Sequence, residues 1–345
     1  MKVLVTGGAG FIGSHVAEYY AKNGNDVTVL DNLSRSKLLG KDINSTYNLD
    51  FLKNSFPNIG FIDADIRDFE KIKEAAKDAD VIIHTAAQTA VTTSVTDPRT
   101  DFEINGIGTF NVLEAARLSG NNPTIVYCST NKVYGENVNN VGVEEKETKY
   151  VFEDKFKNGI PESFSIDRCE HTPYGCSKLT GDIYVQDYGH LYGLRTGVFR
   201  MSCQFGTRQF GVEDQGWVAW FTIATILGKP LTIYGDGKQV RDVLYSDDLV
   251  RAYDLFIKSN IKQGLFNTGG GPENTLSLLE LLDLLQKLTG KKSEISFSDW
   301  RPSDQKVYIS DTSKIREALG WKPEISPEEG VKRLVNWVEK NKSLF

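Results

Sequence analysis

The first 23 residues constrain the fold more than any other part of the chain. Residues 2–6 form a short run with β-branched side chains that is typical of a buried strand, and residues 14–23 have a helical pattern. Between them lies Gly7-Gly-Ala-Gly10-Phe-Ile-Gly13, with the spacing Gly-x-x-Gly-x-x-Gly. Glycines allow a tight turn and close approach of the backbone, and the N-terminus of the following helix attracts a phosphate group. The unit therefore predicts a dinucleotide-binding α/β domain.

The alternation of strands and helices continues beyond this turn. Strand patterns end near residues 30, 63, 83, 128 and 199, and helical patterns at 68–77, 97–118 and 174–192 lie between them. Strands separated by helices indicate a parallel, doubly wound sheet, in which ligands bind at the carboxyl ends of the strands. Beyond residue 200 the regular alternation stops. Shorter strands and the amphipathic helices 246–258, 275–289 and 326–341 predict a second, smaller α/β region.

The length of 345 residues permits one large or two ordinary domains. We predict a Rossmann-type domain over residues 1–192, to which 239–262 return. An interleaved C-terminal α/β lobe over 193–238 and 263–345 would bind the substrate. Residues 136–168 are polar and rich in acids and lysines, which indicates either a substrate-side excursion or a solvated insertion.

Composition excludes several classes of function. The net charge of −6 argues against a nucleic-acid partner, and no 18-residue apolar run would span a membrane. The first strand pattern starts at Lys2, so no signal peptide is expected. The four cysteines, at positions 128, 169, 176 and 203, lack the spacing of a zinc site or a disulfide framework. We therefore expect a cytoplasmic protein without a metal, a nucleic-acid partner or a membrane partner.

The end of the second strand indicates which dinucleotide binds. Asp31 lies there, and an acidic side chain at this point hydrogen-bonds a ribose diol and repels a 2′-phosphate. NAD is therefore favoured over NADP. Arg35 and Lys37 follow closely and would suit a 2′-phosphate, so the alternative stays open.

A second motif, Thr172-Pro-Tyr174-Gly-Cys-Ser-Lys178, has the features of a helix start. Thr172 is a suitable N-cap and Pro173 a suitable first helical residue. A tyrosine and a lysine four residues apart share a helix face, where the ammonium would lower the pKa of the phenol. Such a tyrosine can exchange a proton with a sugar hydroxyl. By itself the spacing is also that of an ordinary exposed helix start.

Taken together, the motifs resemble those of the extended short-chain dehydrogenases/reductases that act on nucleotide sugars. Besides the glycine turn and Tyr174-x-x-x-Lys178, the chain has Tyr234-Gly-Asp-Gly-x-x-x-Arg241-Asp242, Tyr245-x-x-Asp248-Leu249 and Arg301-Pro-x-Asp304 in the family's order. The resemblance covers nearly the whole chain. It implies that NAD is held by Gly7, Gly10, Phe11, Ile12, Asp31, Asn32, Arg35, Asp65, Ile66, Thr85, Ala86, Ala87, Asn105, Tyr174 and Lys178.

The resemblance also implies roles in catalysis and in substrate binding. Thr130 would orient the reacting hydroxyl, Tyr174 would be the acid/base, and Lys178 would hold the nicotinamide ribose. Substrate-binding residues would be Gln88, Asn131, Lys132, Gln209, Arg241 and Arg301. The two arginines would clamp a diphosphate, because guanidinium groups bind such oxygens in a bidentate manner.

Finer features, such as Ser129-Thr-Asn-Lys132-Val-Tyr-Gly and Asp214-Gln-Gly-Trp217, resemble the CDP-paratose 2-epimerases. This implies transient oxidation at carbon 2 of a CDP-hexose, and a homodimer formed through helices 97–118 and 174–192. Cys203 and Met201 depart from the asparagine and tyrosine common in the wider family. A C4 epimerase, a 4,6-dehydratase, a decarboxylase and a non-catalytic NAD-binding sensor or scaffold remain alternatives. A dehydratase needs an acid/base carboxylate pair after Thr130, where this chain has Asn131 and Lys132.

Overall fold

The structure, a computed structural model, describes residues 1–301 and 304–345, with the exception of the side chain of residue 154. Its largest sheet has seven strands in the order β12-β8-β5-β4-β1-β2-β3. These strands are β1 (Lys2–Thr6), β2 (Asp26–Asp31), β3 (Gly60–Asp63), β4 (Val81–His84), β5 (Thr124–Thr130), β8 (Thr196–Met201) and β12 (Gln263–Thr268). β1 pairs in parallel with β2 and β4, β2 with β3, and β4 with β5. The predicted doubly wound, Rossmann-type sheet is confirmed.

The remaining strands are shorter. β11 pairs in parallel with β9 and β15 and in antiparallel with β13, while β10 pairs with β14 and β6 with β7. Their bounds are β6 (Val143–Glu145), β7 (Tyr150–Phe152), β9 (Cys203–Phe205), β10 (Leu231–Tyr234), β11 (Val240–Tyr245), β13 (Thr275–Ser277), β14 (Ile295–Ser298) and β15 (Val307–Tyr308).

Helices follow most strands. They are α1 (Phe11–Lys22), α2 (Arg35–Leu39), α3 (Tyr47–Ser55), α4 (Phe69–Ala76), α5 (Val91–Thr96), α6 (Pro98–Phe102), α7 (Thr109–Leu118), α8 (Thr172–Tyr192), α9 (Trp217–Leu227), α10 (Ser246–Lys258), α11 (Leu278–Thr289), α12 (Ser313–Leu319) and α13 (Pro327–Lys340). Short 3-10 segments lie at Asn131–Asn140, Asp154–Phe156 and Lys342–Leu344. No helix among the described residues combines the length and the apolar character that crossing a membrane requires.

The chain divides into two units. The first unit contains residues 1–133, 172–200 and 250–266, and the second contains 134–171, 201–249 and 267–345. The predicted boundaries differ from these in four places. Residues 134–171 and 239–249 group with the second unit, whereas 193–200 and 263–266, which contain most of β8 and β12, group with the first. Strand β11 stays in the second unit because its pairing strands lie there.

Each unit has its own apolar core. In the first, Leu4, Ile82 and Ile125 from the sheet pack with Val112 of α7 and Val185 of α8. In the second, a separate cluster forms between strands β10 and β11 and helices α9, α11 and α13; it includes Val218, Leu231, Val243, Leu281 and Leu334. The predicted helix over 97–118 is interrupted, since a π-helical turn, Glu103–Gly108, separates α6 from α7. Such turns occur frequently at functional sites.

Candidate active site

The turn after β1 has the geometry of a phosphate cradle. Gly7 has φ +69°, and a Cβ there would lie 2.5 Å from the backbone nitrogen of Ala86. A Cβ at Gly13 would collide with the carbonyl oxygen of Gly7. The N-terminus of α1 follows at once and carries no side-chain cap, so its backbone N–H groups stay available to an anion. The residues present therefore fit a dinucleotide pyrophosphate.

The residues expected around the adenosine lie at the ends of β2 and β3. Asp31 accepts hydrogen bonds from the backbone N–H groups of Ala9 (3.0 Å) and Leu33 (2.8 Å), and burial raises its pKa. Asn32 donates to Asp65 at 2.8 Å. The Arg67 guanidinium bonds the same carboxylate at 2.8 Å and lowers its pKa. The structure therefore brings Asn32 and Asp65 together.

Other predicted cofactor residues lie along the same side of the sheet. Thr85 donates to the carbonyl oxygen of Thr6 at 2.7 Å. Ile66 is buried and packs where a Cβ at Gly108 would collide with it. Burial lowers the pKa of Arg35 to about 10. Asn105 is fully buried within the π-helical turn, where its amide exchanges hydrogen bonds with the backbone of Gln88 at 2.9 and 3.0 Å.

The reactive pair lies on α8, at the carboxyl end of β5. Thr172 caps the helix, with φ +61° and its hydroxyl 3.4 Å from the backbone nitrogen of Gly175. Lys178 is 3% exposed, and its ammonium lies 4.3 Å from the centroid of the Tyr127 ring. The Thr130 hydroxyl lies near that of Tyr174 and acts to lower the pKa of the phenol. Thr130, Tyr174 and Lys178 are thus assembled within one unit.

The pKa values of Lys178 and Tyr174 depart from their ordinary values in opposite directions. Burial lowers the pKa of Lys178 to about 8, against the attraction of Cys128, Asp182 and Asp101. Burial raises the pKa of Tyr174 to about 12, and the hydrogen bond from Thr130 only partly offsets this. The prediction that the phenol would have a lowered pKa is therefore wrong for the protein alone. The sequence shows the spacing of the two residues but not their desolvation.

Buried polar groups that the sequence reasoning missed anchor α8. Asp182 forms a two-point ion pair with Arg200 (3.0 and 3.1 Å) and accepts from Ser129 at 2.6 Å. Asp101 and Ser177 form a second buried cluster beside the pair. The sequence spacing could have identified Asp182, because it follows Lys178 by four residues and therefore shares its helix face.

The predicted substrate residues of the first unit lie near these groups. The Gln88 side chain is buried, donating to Asp101 and to the carbonyl oxygen of Ala90. The Asn131 amide oxygen lies 3.3 Å from the Thr130 hydroxyl, which also accepts from the Lys132 backbone N–H at 3.2 Å. The roles of Gln88, Asn131 and Lys132 in substrate binding stay predictions.

In the second unit, Arg241 and Arg301 line one open pocket. Arg241 pairs with Asp304 at 2.6 Å, and the Arg301 guanidinium stacks 4.0 Å from the centroid of Tyr234. The other lining residues are Glu213, Trp217, Trp220, Phe221, Thr232, Gln239, Leu278 and Asp304. The pocket combines cationic, aromatic and acceptor groups, as a nucleotide requires.

Two further positions belong to the second unit. Gln209 is buried, and its amide donates to the carbonyl oxygen of Gln204 at 3.2 Å. Cys203, at the position that departs from the wider family, accepts a hydrogen bond from the Trp217 indole at 2.9 Å. Burial raises the pKa of its thiol to about 12, so the group is neutral at physiological pH. Its partner Trp217 lines the pocket with Arg241.

The Rossmann-type sheet, the glycine cradle and the Thr130–Tyr174–Lys178 arrangement define an extended short-chain dehydrogenase/reductase. Within that class the chain belongs to the GDP-mannose 4,6-dehydratase family, whose model matches residues 4–334.

Its relatives in this family carry out different reactions. The chain is 42% identical to a CDP-paratose 2-epimerase from Salmonella typhi, over 98% of this chain and 99% of the relative. It is 31% identical to a dTDP-glucose 4,6-dehydratase from Salmonella typhimurium, over 98% and 92%. Its structure is also similar to the crystal structure of a Thermus thermophilus UDP-glucose 4-epimerase in complex with NAD. The two sequences are 32% identical and the TM-score is 0.80, and the match covers 98% of this chain and 99% of the other. Membership of this family therefore supports the interpretation that the chain is an enzyme acting on nucleotide sugars.

Proposed function

We propose that this protein is an NAD-dependent epimerase that inverts carbon 2 of a CDP-linked hexose, converting CDP-paratose to CDP-tyvelose. The observation that carries the proposal is the full-length similarity, at 42% identity, to a CDP-paratose 2-epimerase. The assembled Thr130, Tyr174 and Lys178 supply the proton-transfer groups that such a reaction needs.

In this proposal Tyr174 accepts the proton of the 2-hydroxyl, with Thr130 orienting that hydroxyl. After the 2-keto sugar has turned so that the opposite face of carbon 2 meets the hydride, Tyr174 returns the proton to the oxygen on carbon 2. When bound, NAD would supply the hydride acceptor and donor, and the positive charge of its oxidised ring would stabilise the Tyr174 phenolate. Gly7, Gly10 and the N-terminus of α1 bind its pyrophosphate. Lys178 holds the ribose and adds a positive charge, since at pH 7 a lysine with a pKa of about 8 is mostly protonated.

The second unit supplies the nucleotide contacts in the proposal. Arg241 and Arg301 bind the diphosphate, and Tyr234 and Trp217 form apolar walls of their pocket. A 4,6-dehydratase reaction is disfavoured, because Asn131 and Lys132 stand where elimination would use an acid/base carboxylate pair.

The test follows a panel of CDP-, UDP-, GDP- and dTDP-sugars by NMR in heavy water, with purified protein and no added cofactor. We expect bound NAD and inversion of CDP-paratose at carbon 2 without solvent deuterium. Inversion of a UDP-sugar at carbon 4, deuterium at carbon 2, or a requirement for NADH with net reduction would each overturn the proposal.

We also propose that the protein is a homodimer formed through α6, α7 and α8. Large apolar side chains on these helices remain exposed, among them Phe102, Phe110, Ile183, Tyr184 and Leu191. Phe110 and Tyr184 already pack edge to face, with centroids 5.8 Å apart. An exposed apolar patch of this kind is typical of a protein–protein interface. Tyr188, also on α8, is by contrast buried within the protomer and donates to Glu114.

A further inference from the structure

A buried carboxylate, Asp101 of α6, lies beside the first turn of α8 and is 1% exposed. One of its oxygens accepts hydrogen bonds from the Gln88 amide (2.8 Å) and from the Asn105 amide (3.2 Å). The other accepts from the Ser177 hydroxyl at 2.5 Å. Among the residues that the structure describes, no lysine or arginine forms an ion pair with it. A buried carboxylate without a paired cation is costly, so its presence calls for a reason.

The network suits the charged form of Asp101. All three partners can donate to it, and a carboxylate only accepts. Burial raises the pKa of Asp101, and the hydrogen bonds from Ser177 and Gln88 oppose that rise. The backbone fixes the orientation of both amides. The Gln88 side-chain oxygen accepts from the Ala90 N–H at 2.5 Å, and the Asn105 side-chain oxygen accepts from the Gln88 N–H at 2.9 Å. Their amino groups therefore point to Asp101.

Ser177 connects this carboxylate to the reactive pair. It stands between Tyr174 and Lys178 in the sequence, and its hydroxyl also lies 3.0 Å from the carbonyl oxygen of Tyr174. The negative charge of Asp101 raises the pKa of Lys178, opposing the effect of burial. Asp182 of α8 and Cys128 of β5 act on Lys178 in the same direction.

His84 and Tyr127 complete the titratable surroundings of Lys178. Burial, together with the charge of Lys178, lowers the pKa of His84 to about 3, so that the imidazole is neutral. Burial holds the pKa of Tyr127 well above its usual range, so that this ring is neutral too. Asp101 and Asp182 are therefore the carboxylates that favour the lysine's positive charge, and Asp182 is already paired with Arg200.

We propose that Asp101 is a positioning residue for the reactive pair: through Ser177 it fixes the first turn of α8, and its charge keeps Lys178 protonated. Gln88 then acts as a support for Asp101, a different role from the substrate contact expected from the sequence. The proposal concerns the Tyr174–Lys178 pair and holds whichever sugar reacts. Its kinetic test rests on the proposed epimerase function, and its titration test does not.

The Asp101→Asn variant isolates the charge. Its amide oxygen can still accept from Gln88 and Asn105, and its amino group can donate to the Ser177 oxygen, so the geometry of the network is retained. In protein labelled with ¹³C at the lysine ε-carbons, NMR titration should show one lysine with a midpoint near pH 8, and Lys178→Met should remove that signal. We expect Asp101→Asn to lower this midpoint by about one pH unit. The matched control, Asp187→Asn on the exposed face of α8, should leave it unchanged.

An unchanged midpoint in a folded Asp101→Asn protein, checked by circular dichroism, would refute the electrostatic role. Ser177→Ala is a second variant, because it keeps the negative charge of Asp101 and removes the hydroxyl that connects Asp101 to α8. It should lower kcat on CDP-paratose roughly tenfold with KM unchanged, since it disturbs only the alignment of the proton-transfer group. A Ser177→Ala protein with the kcat of the wild type would refute the positioning role. This test can be made even if the Asp101→Asn protein does not fold. Absence of turnover in the wild type would count against the epimerase proposal alone, because the lysine titration is read without substrate.

Discussion

Replacing Lys178 by methionine should stabilise the folded protein while abolishing its activity. Burial moves the pKa of this lysine from 10.5 to about 8. At about 1.36 kcal/mol per unit, the shift corresponds to roughly 3 kcal/mol that the protonated side chain costs the fold at pH 7. Methionine is apolar and of similar length, so it removes this cost. It also loses the contact of the ammonium with the Tyr127 ring, worth about 1 kcal/mol. The net gain should be about 2 kcal/mol.

The stability difference between Lys178→Met and the wild type should vary with pH in a defined direction, whereas an effect of packing alone would not vary with pH. Because the folded-state pKa lies below the unfolded-state pKa, the unfolded chain binds more protons between pH 8 and 10.5. The free energy of unfolding of the wild type therefore rises with pH across that window relative to Lys178→Met. The advantage of the variant should be largest below pH 8 and shrink towards pH 10.5.

Urea denaturation at pH 7, 8, 9 and 10 measures this difference. Circular dichroism is the suitable signal, because all five tryptophans lie in the second unit and Lys178 lies in the first. Lys22→Met, at an exposed position of α1, is the matched control and should change stability little at any of these pH values. A Lys178→Met protein less stable than the wild type at pH 7, or a difference that does not vary with pH, would refute the reasoning.

Two further changes test the site and the assembly. Tyr174→Phe deletes only the proton-transfer group, so kcat should fall by about 10²-fold or more while NAD stays bound; activity within a few-fold of wild type would contradict the assignment. Tyr184→Glu places a charge on the exposed apolar face of α8, and light scattering at micromolar concentration should show a monomer in place of a dimer. Leu288→Glu, at a similarly exposed position of α11, should leave the dimer intact. A monomeric wild type would refute the dimer itself.

Local patterns predicted the elements whose signals are strong and short in range. The ranges of β1 and α10 agree with the ranges predicted from the sequence, since each has a clear apolar period and a turn signal at its ends. β12 was missed, because Gln263-Gly-Leu-Phe-Asn-Thr268 mixes a glycine and polar side chains with two apolar ones. Its place at the sheet edge beside β8 is a long-range pairing that a local pattern does not contain.

The site shows the same division between spacing and environment. The sequence identified Tyr174 and Lys178, because a separation of four residues fixes their shared face. It gave the wrong direction for the pKa of Tyr174, because that direction depends on how burial and neighbouring groups act together. Asp101 was missed although it precedes Asn105 by four residues. Its partner Ser177 is 76 residues away, and only the packing of α6 against α8 brings them together.

The two faces of α8 connect the proposed chemistry to the proposed dimer. Most of its buried positions, among them Gly175, Ser177, Lys178, Gly181 and Asp182, are small, polar or charged, and Val185 and Tyr188 are its large buried side chains. Ile183, Tyr184 and Leu191 are exposed. An ordinary surface helix has the opposite arrangement, with its apolar stripe on the core. In the proposed mechanism the polar groups on the inner face serve proton transfer, and they supply little of the apolar burial that usually holds a helix in place. If the outer face is covered by a second copy, it supplies that burial. A protein made monomeric by Tyr184→Glu should therefore lose protection from hydrogen exchange along α8 before it does so in the helices of the second unit. Equal loss of protection in α8 and in those helices would show that the dimer does not stabilise α8.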